Sequence, residues 1–285
     1  RTGRNIGTRV ADLPRLSALP VGAKPRSILR YGFRSFDRQF AFFDPRLAKT
    51  ESPSLWASLT SEQVFLVSKP TEAFGMGPAA SVFACVPDKH AFNGRGGKDV
   101  FPLFRDAAGT PNVDPVLLAV IRSAHRELDS EAEPLKVEDL FAYCFAILAG
   151  ADYTERFRVE LETPGPRVPL TADSTLFGEV ASFGRHLIWL QTFGERFRSP
   201  GGPSSLAVDP EIKWKTTPTR IPRHSKDFSY DEDSHEIVVA DGRLSGVSKE
   251  VWDFQVSGMQ ILKKWLGYRT AKGAGRAVSS ESPLD

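Results

Sequence analysis

The chain has 285 residues, of which 41% are hydrophobic, 25% charged and 11% aromatic, an ordinary globular composition that excludes a disordered tail or a collagen-like repeat. Its 37 Lys+Arg against 35 Asp+Glu leave a formal net charge of only +2, so no whole-chain excess demands a polyanionic partner. No apolar run approaches a membrane span and the N-terminus has no apolar signal region, so a soluble, cytoplasmic protein with no membrane partner is expected.

Charge is distributed unevenly. Residues 1–50 carry eleven Lys+Arg against Asp12, Asp37 and Asp44, a local net of +8. Residues 101–170 and 231–260 each have a net of −5, and the chain is basic again around Lys213 to Lys226 and from Lys263 to Arg276. Such a chain could gather one cationic face with its acidic helices elsewhere, or simply have a solvated, asymmetric surface.

In chain order, Phe40-Ala41-Phe42-Phe43, Gln63-Val64-Phe65-Leu66-Val67 and Ser81-Val82-Phe83-Ala84-Cys85 read as strands between turns marked by Pro70, Gly75, Gly77 and Pro78. At Asp114-Pro115 the pattern turns helical, because Asp suits the N-cap, Pro suits the first helical position, and Val116 to Leu128 has helical apolar spacing. Helices follow over Val137 to Leu148, closed by Gly150, over Tyr153 to Leu161, and over Ser174 to Phe193, the last two separated by Pro164-Gly165-Pro166. Extended character returns at Ile212 to Thr217 and at Glu236 to Ala240, ending in an Asp241-Gly242 turn, before a final helix over Met259 to Leu266. Cys85 and Cys144 each sit in an apolar run and read as small buried side chains of a reducing compartment.

Signatures of resident chemistry are weak. The five histidines are scattered with no paired cysteine, so no metal cage is expected. Asn93-Gly94-Arg95-Gly96-Gly97-Lys98 looks like a phosphate cradle, but Asp99 stands where a Walker loop needs Ser or Thr, which leaves a flexible basic loop. Phe74-Gly75-Met76-Gly77 has a faint likeness to a methyl-donor loop, yet Pro78 follows at once and no Pro-Pro dipeptide of amino-group methylation occurs. Asp88 with Glu211-Ile212-Lys213 could mimic the metal-binding carboxylates and lysine of a nuclease, at a spacing no commoner than chance.

From Phe33-Arg34-Ser35-Phe36-Asp37-Arg38-Gln39-Phe40-Ala41-Phe42-Phe43-Asp44 onward the chain resembles the segment that follows the adenine methyltransferase domain in type ISP restriction-modification enzymes. Those are single polypeptides that join nuclease, helicase-like translocase, methyltransferase and target recognition domain. Val86-Pro87-Asp88-Lys89-His90, Val100-Phe101-Pro102-Leu103-Phe104, the block Asp139 to Tyr153, Pro166-Arg167-Val168-Pro169-Leu170 and Leu176-Phe177 fit that family's C-terminal specificity domain in order. So do Val251 to Met259, Lys264-Trp265-Leu266 and Ser282-Pro283-Leu284-Asp285, and the matches span about residues 30–285. Ser35 and Gln39 depart from the family's commoner Pro and Arg, so no DNA role passes to Gln39, whereas Arg34 and Asp37 match.

The resemblance implies an α+β target recognition domain over residues 31–270, β-rich at 31–110, helical at 111–195, and β-rich with a final helix at 205–268. Residues 1–30 would be a basic linker from a preceding domain and 271–285 a flexible tail. It implies a sequence-specific double-stranded DNA-binding module that positions an adenine for N6 methylation by a preceding domain. S-adenosylmethionine would be bound there, with no cofactor, metal or catalytic residue in this chain, and the partners would be DNA and the methyltransferase and helicase/nuclease domains of a parent polypeptide. The candidate DNA-binding residues are Arg34, Arg38, Arg46 and Lys49 at the basic end, Asn93, Arg95 and Lys98 in the glycine loop, and Lys213, Lys215, Arg220, Arg223 and Lys226. Arg34 or Arg38 could instead bridge Asp37 beneath the aromatic strand, and Trp252 and Trp265 read as core anchors rather than base-stacking platforms. The rival functions are a metal-dependent nuclease using Asp88, Glu211 and Lys213, and a protein-interaction domain docking a partner through its acidic helices.

Overall fold

A computed structural model describes residues 28–42, 52–69, 73–88, 91–92, 99–131, 133–163, 165–203, 205–207 and 209–271. The chain opens with an antiparallel hairpin, β1 (Ile28–Arg34) and β2 (Asp37–Phe42), whose turn places Phe36 at φ 59°. Residues 28–30, expected in the linker, therefore belong to a strand. The hairpin is pinned to the segment after the second strand of the next sheet. Gly32 N–H donates to Val86 O at 3.0 Å and Asp88 N–H to Gly32 O at 2.6 Å, an approach that leaves no room for a Cβ at Gly32 against the Phe83 ring.

After α1 (Pro53–Ala57) come β3 (Phe65–Ser68), β4 (Ser81–Phe83) and β5 (Asp99–Pro102), an antiparallel sheet in the order β4-β3-β5. The run Val64-Phe65-Leu66-Val67 is apolar without a break because β3 is covered on both faces. Val64 and Leu66 join a core with Phe145, Leu148 and Ile188, while Phe65 and Val67 join another with Phe83, Phe92, Val256 and Met259.

The helical middle is α2 (Pro115–Leu128), α3 (Val137–Ala149), α4 (Ala151–Arg156) and α5 (Ser174–Gln191). Asp114 caps α2 by accepting from Val116 N–H at 2.8 Å, and Asp173 caps α5 by accepting from Thr175 and Leu176. The single helix expected over Tyr153 to Leu161 is broken. The α-helix ends at Arg156, with Phe157 N–H still donating to Tyr153 O, and the chain resumes as a 3-10 turn at Glu160–Glu162; the exposed, β-branched Val159 between them is a poor helix former.

A second antiparallel sheet, in the order β6-β9-β8-β7, is built from β6 (Lys213–Thr216), β7 (Phe228–Asp231), β8 (Glu236–Val239) and β9 (Gly242–Ser245). The β8–β9 turn lies one residue earlier than Asp241-Gly242, with Ala240 at φ 55°, because Gly242 is already paired with Val239 and abuts Pro218. One face of this sheet (Ile237, Val239, Leu244, Tyr230) packs on Trp252 and Leu266, so Trp252 is a core anchor as expected.

The chain closes with α6 (Lys249–Asp253), the short hairpin β10 (Gln255–Val256) and β11 (Met259–Gln260), and α7 (Ile261–Gly267). Met259 and Gln260, expected in the helix, are strand-paired instead. The Ser257-Gly258 turn has φ 47° and 79° and seats on the 75–78 loop, where Ser257 N–H donates to Pro78 O and Gly258 N–H to Met76 O. A Cβ at Gly75 or Gly77 would strike that hairpin's backbone, so the glycines of Phe74-Gly75-Met76-Gly77 are required by this packing contact. The result is an α+β fold with β-rich ends around a helical middle.

Candidate nucleic-acid interface

The three basic segments of the sequence meet around α7. Tyr268, at its C-terminal end, accepts from Arg34 Nε and Nη2 at 3.3 and 3.2 Å. The next residue, Arg269, reaches Asp37 on the hairpin, and Ala271 N–H donates to Pro222 O at 2.9 Å in the loop of residues 217–227. The gathering that charge alone left open therefore occurs, but the cations within it differ in kind.

On the hairpin side every described arginine has an internal partner. Asp37, 2% exposed, is bridged by both Arg269 terminal nitrogens at 2.9 and 3.1 Å, so the expected Arg34–Asp37 or Arg38–Asp37 turn bridge is replaced by a contact over 232 residues of chain. Arg269 also lies 3.6 Å over the Trp265 ring, an i,i+4 cation–π pair that a Trp-x-x-x-Arg spacing on a helix announces. Arg34 is held between Phe33 and Tyr268, 4.4 and 5.3 Å from their ring centroids, with Asp88 at 3.5 Å. Arg38 stacks on Phe193 and ion-pairs with Glu195, which also takes Arg30.

The loop of residues 217–227 is organised differently. Two aspartates hold its backbone: Asp241 accepts from Thr219 N–H and Oγ1–H and from Arg220 N–H, and Asp227 accepts from Arg223 N–H at 2.6 Å and His224 N–H at 3.1 Å. The Thr219 hydroxyl chiefly holds the Asp241 carboxyl below the ordinary carboxylate range, and the Arg223 and His224 amides do the same for Asp227. Because these carboxylates are engaged by backbone, Arg220, Arg223 and Lys226 make no side-chain hydrogen bond or ion pair with any described residue, and all three are exposed.

Adjoining the loop, edge strand β6 exposes all four of its residues, Lys213-Trp214-Lys215-Thr216. Lys215 belongs with the engaged cations. It donates to Glu236 at 2.8 Å while Arg243 donates to the same buried carboxylate at 2.9 Å, and these two bonds, Lys215 first, lower the Glu236 pKa. Lys213 forms no ion pair with a described residue, and the next residue on β6, Trp214, is 42% exposed. Lys213 on β6 and Arg220, Arg223 and Lys226 on the loop are thus exposed cations with available charge, of a kind suited to phosphate oxygens or purine edges.

Of the remaining candidates, Arg46, Lys49, Asn93, Arg95 and Lys98 lie outside the described residues. The nuclease trio is not brought together as a metal site: Asp88 faces Arg34, Lys213 is on β6, and among the described residues no three His, Cys, Asp or Glu side chains gather to hold a metal ion. The acidic helices border a cleft of about 360 Å³ lined by Asp129, Glu131, Glu133 and Asp139, but Asp139 is taken by Arg185 at 2.6 Å. Among the described residues no helix is long and apolar enough to cross a membrane. Cys85 and Cys144 are both free thiols pushed up to about 11, chiefly by burial. Arg30, Glu195 and Arg269 join the site from the structure alone, because their partners are far away in sequence.

The chain matches the family model of the type ISP C-terminal specificity domain over residues 7–283. No curated protein matches it by sequence. Among solved structures it is similar to the cryo-EM structure of the DrdV–DNA complex, with TM-score 0.65 and 20% identity over 87% of this chain and 24% of that one. It is also similar to a nuclease-deletion mutant of the type ISP restriction-modification enzyme LlaGI in complex with a DNA substrate mimic (TM-score 0.57, 14% identity, 85% of this chain and 20% of that one). A third similar structure is the ATP-dependent type ISP restriction-modification enzyme LlaBIII bound to DNA (TM-score 0.58, 11% identity, 87% of this chain and 16% of that one). The chain thus spans about a quarter or less of each of these chains, and the likeness establishes the fold.

Proposed function

Because this chain belongs to the type ISP C-terminal specificity domain family, which matches it over residues 7–283, we propose that it is a sequence-specific double-stranded DNA recognition module of a restriction-modification enzyme. The observation that carries the reading is the 217–227 loop, whose backbone is fixed by Asp227 and Asp241 while Arg220, Arg223 and Lys226 stay exposed with no side-chain hydrogen bond or ion pair to a described residue. Cations on a preorganised loop meet phosphates without first breaking internal bonds, and arginine can also pair in a bidentate way with guanine O6 and N7.

In this reading phosphate contacts set register, and a few side chains of the 217–227 loop, with those of residues 93–98, read base edges. The module would hold its site so that an adenine can be flipped into a methyltransferase domain, where S-adenosylmethionine would be bound and methyl transfer would occur. Translocation and cleavage would likewise belong to other domains of a parent polypeptide. The test is selection of bound duplexes from a random-sequence pool. The chain is expected to enrich one motif, and Arg220→Ala/Arg223→Ala to lose that enrichment with the fold intact by circular dichroism. A pool that stays random after repeated rounds would contradict the proposal.

A further inference from the structure

One carboxylate oxygen, Glu195 Oε1, accepts from Nη1 of Arg30 at 2.5 Å and from Nη1 of Arg38. A single anionic oxygen clasped by two guanidinium groups is the arrangement that a phosphodiester oxygen adopts against a DNA-binding protein. The cluster keeps a formal charge of +1, and the Arg30 and Arg38 side chains remain 43% and 28% exposed. Exposed ion pairs of this kind contribute little to stability, so holding the hairpin down does not by itself account for the arrangement.

The setting is also that of a nucleic-acid surface. Register places Ile28, Arg30, Arg38 and Phe40 on one face of the hairpin, and Phe40 is 71% exposed with the Arg30 guanidinium 5.8 Å from its ring centroid. Exposed cations grouped on one face of a hairpin suit the phosphate backbone of a duplex. Glu195 reaches this face from the turn after α5, in which Phe193 and Gly194 have φ 58° and 81°. The next residue anchors that turn independently: Arg196 donates to the carbonyls of Gln63, Thr60 and Ala84 at 2.8 to 3.2 Å. The Glu195 side chain can therefore be removed without releasing the turn.

We propose that Glu195 is an internal stand-in for a DNA phosphate, occupying a second phosphate site made by Arg30 and Arg38 until a phosphodiester oxygen displaces it. The proposal rests on the reading of the chain as a DNA-binding module and adds a control to it. The carboxylate suppresses non-specific attraction to any duplex and yields only where the rest of the interface holds a phosphate close by.

The experiment compares the wild-type chain with Glu195→Ala and Glu195→Gln, using inorganic phosphate and a short random-sequence duplex as probes. Phosphate is expected to raise the melting temperature of Glu195→Ala in a concentration-dependent way, and by more than it raises that of wild type, in which only the loop cations are available. Random-duplex affinity should rise roughly 3- to 10-fold, and the slope of log K against log salt should steepen by about 1 to 2 as two cations are freed. Both gains should vanish in Arg30→Ala/Arg38→Ala/Glu195→Ala. Unchanged phosphate response and unchanged slope in Glu195→Ala, with wild-type duplex binding intact, overturn the stand-in and leave the DNA reading standing. Phosphate stabilisation of Glu195→Ala without salt-dependent duplex binding by any variant supports the oxyanion site and refutes the DNA reading. Gains that persist in the triple variant overturn the stand-in, because the arginines would then not be the source.

Discussion

The β1–β2 hairpin and the loop of residues 217–227 are both basic in sequence, yet they hold their charge in opposite ways. In the hairpin region Arg30, Arg34, Arg38 and Arg269 all have acids or aromatic rings against them, and the acids come from distant parts of the chain. In the loop the acids Asp227 and Asp241 bind backbone amides, and the cations are left over. Local net charge therefore measures capacity, whereas attraction for a polyanion depends on which cations lack an internal counter-ion. The hairpin region keeps its arginines on internal partners; the loop presents them.

The largest expected effect sharpens that contrast through stability. Asp37→Ala leaves the largely buried Arg269 without its carboxylate and is expected to cost about 3 kcal/mol in urea denaturation, the cost of breaking a buried pair. Arg220→Ala, on the exposed loop, is expected to stay within about 0.5 kcal/mol. Equal losses would erase the distinction between engaged and presented arginines.

Lysine reactivity offers a smaller effect. Lys213 and Lys226 should acetylate readily in the free chain and be protected by duplex DNA, while Lys215, held on Glu236, should react slowly in both states. Footprinting by mass spectrometry reads all three at once, and protection of Lys215 alone would shift the interface off the loop.

Acid pH tests how the loop is held. The folded-state pKa values of Asp227 and Asp241 lie below their unfolded values, so their support is fully present above the ordinary carboxylate range and is lost only as pH falls through the lowered values. Amide exchange at Thr219, Arg223 and His224 should stay protected as pH drops through the ordinary carboxylate range and speed up below it. Asp227→Asn should remove that dependence at Arg223 and His224 while leaving Thr219, which bonds to Asp241, unaffected.

The smallest effect concerns the two thiols. Both are raised to about 11 from 9.0, so their contribution to stability is complete below pH 9 and is lost as pH rises toward 11. Glu195 is, after burial, the main charge raising Cys85, and it is not a cause at Cys144. Glu195→Gln should therefore lower the Cys85 titration midpoint and leave that of Cys144 in place, as followed by thiolate absorbance. Equal movement of both would mean that the hairpin cluster is not beside Cys85.

What the sequence disclosed follows from the range of the forces involved. Helices α2 and α5 were legible because their aspartate caps and periodicity are local, α3 because its apolar run ends at Gly150, and β3 because its unbroken apolar run marks a strand covered on both faces. Strand β1 was missed although Leu29, Tyr31 and Phe33 alternate with Arg30, Gly32 and Arg34 at the period of a strand; its docking on Val86 and Asp88 is the part that no local pattern discloses. Strands β7 and β9 were missed because their outward residues, such as Ser229 and Arg243, leave too few apolar positions to show alternation. The basic loop was visible as charge; that its cations are available was not, because availability depends on Asp241 meeting Thr219 across 22 residues and on Glu195 meeting Arg38 across 157.

The claim that available charge resides on the loop rather than the hairpin is tested most directly by the salt dependence of duplex binding in two variants measured side by side. Arg220→Ala/Arg223→Ala should flatten the slope of log K against log salt by about 2, close to one released counterion per removed cation. Arg30→Ala/Arg38→Ala, whose cations must first leave Glu195, should flatten it by distinctly less. A hairpin variant that flattens the slope as much as the loop variant, or more, would contradict the account.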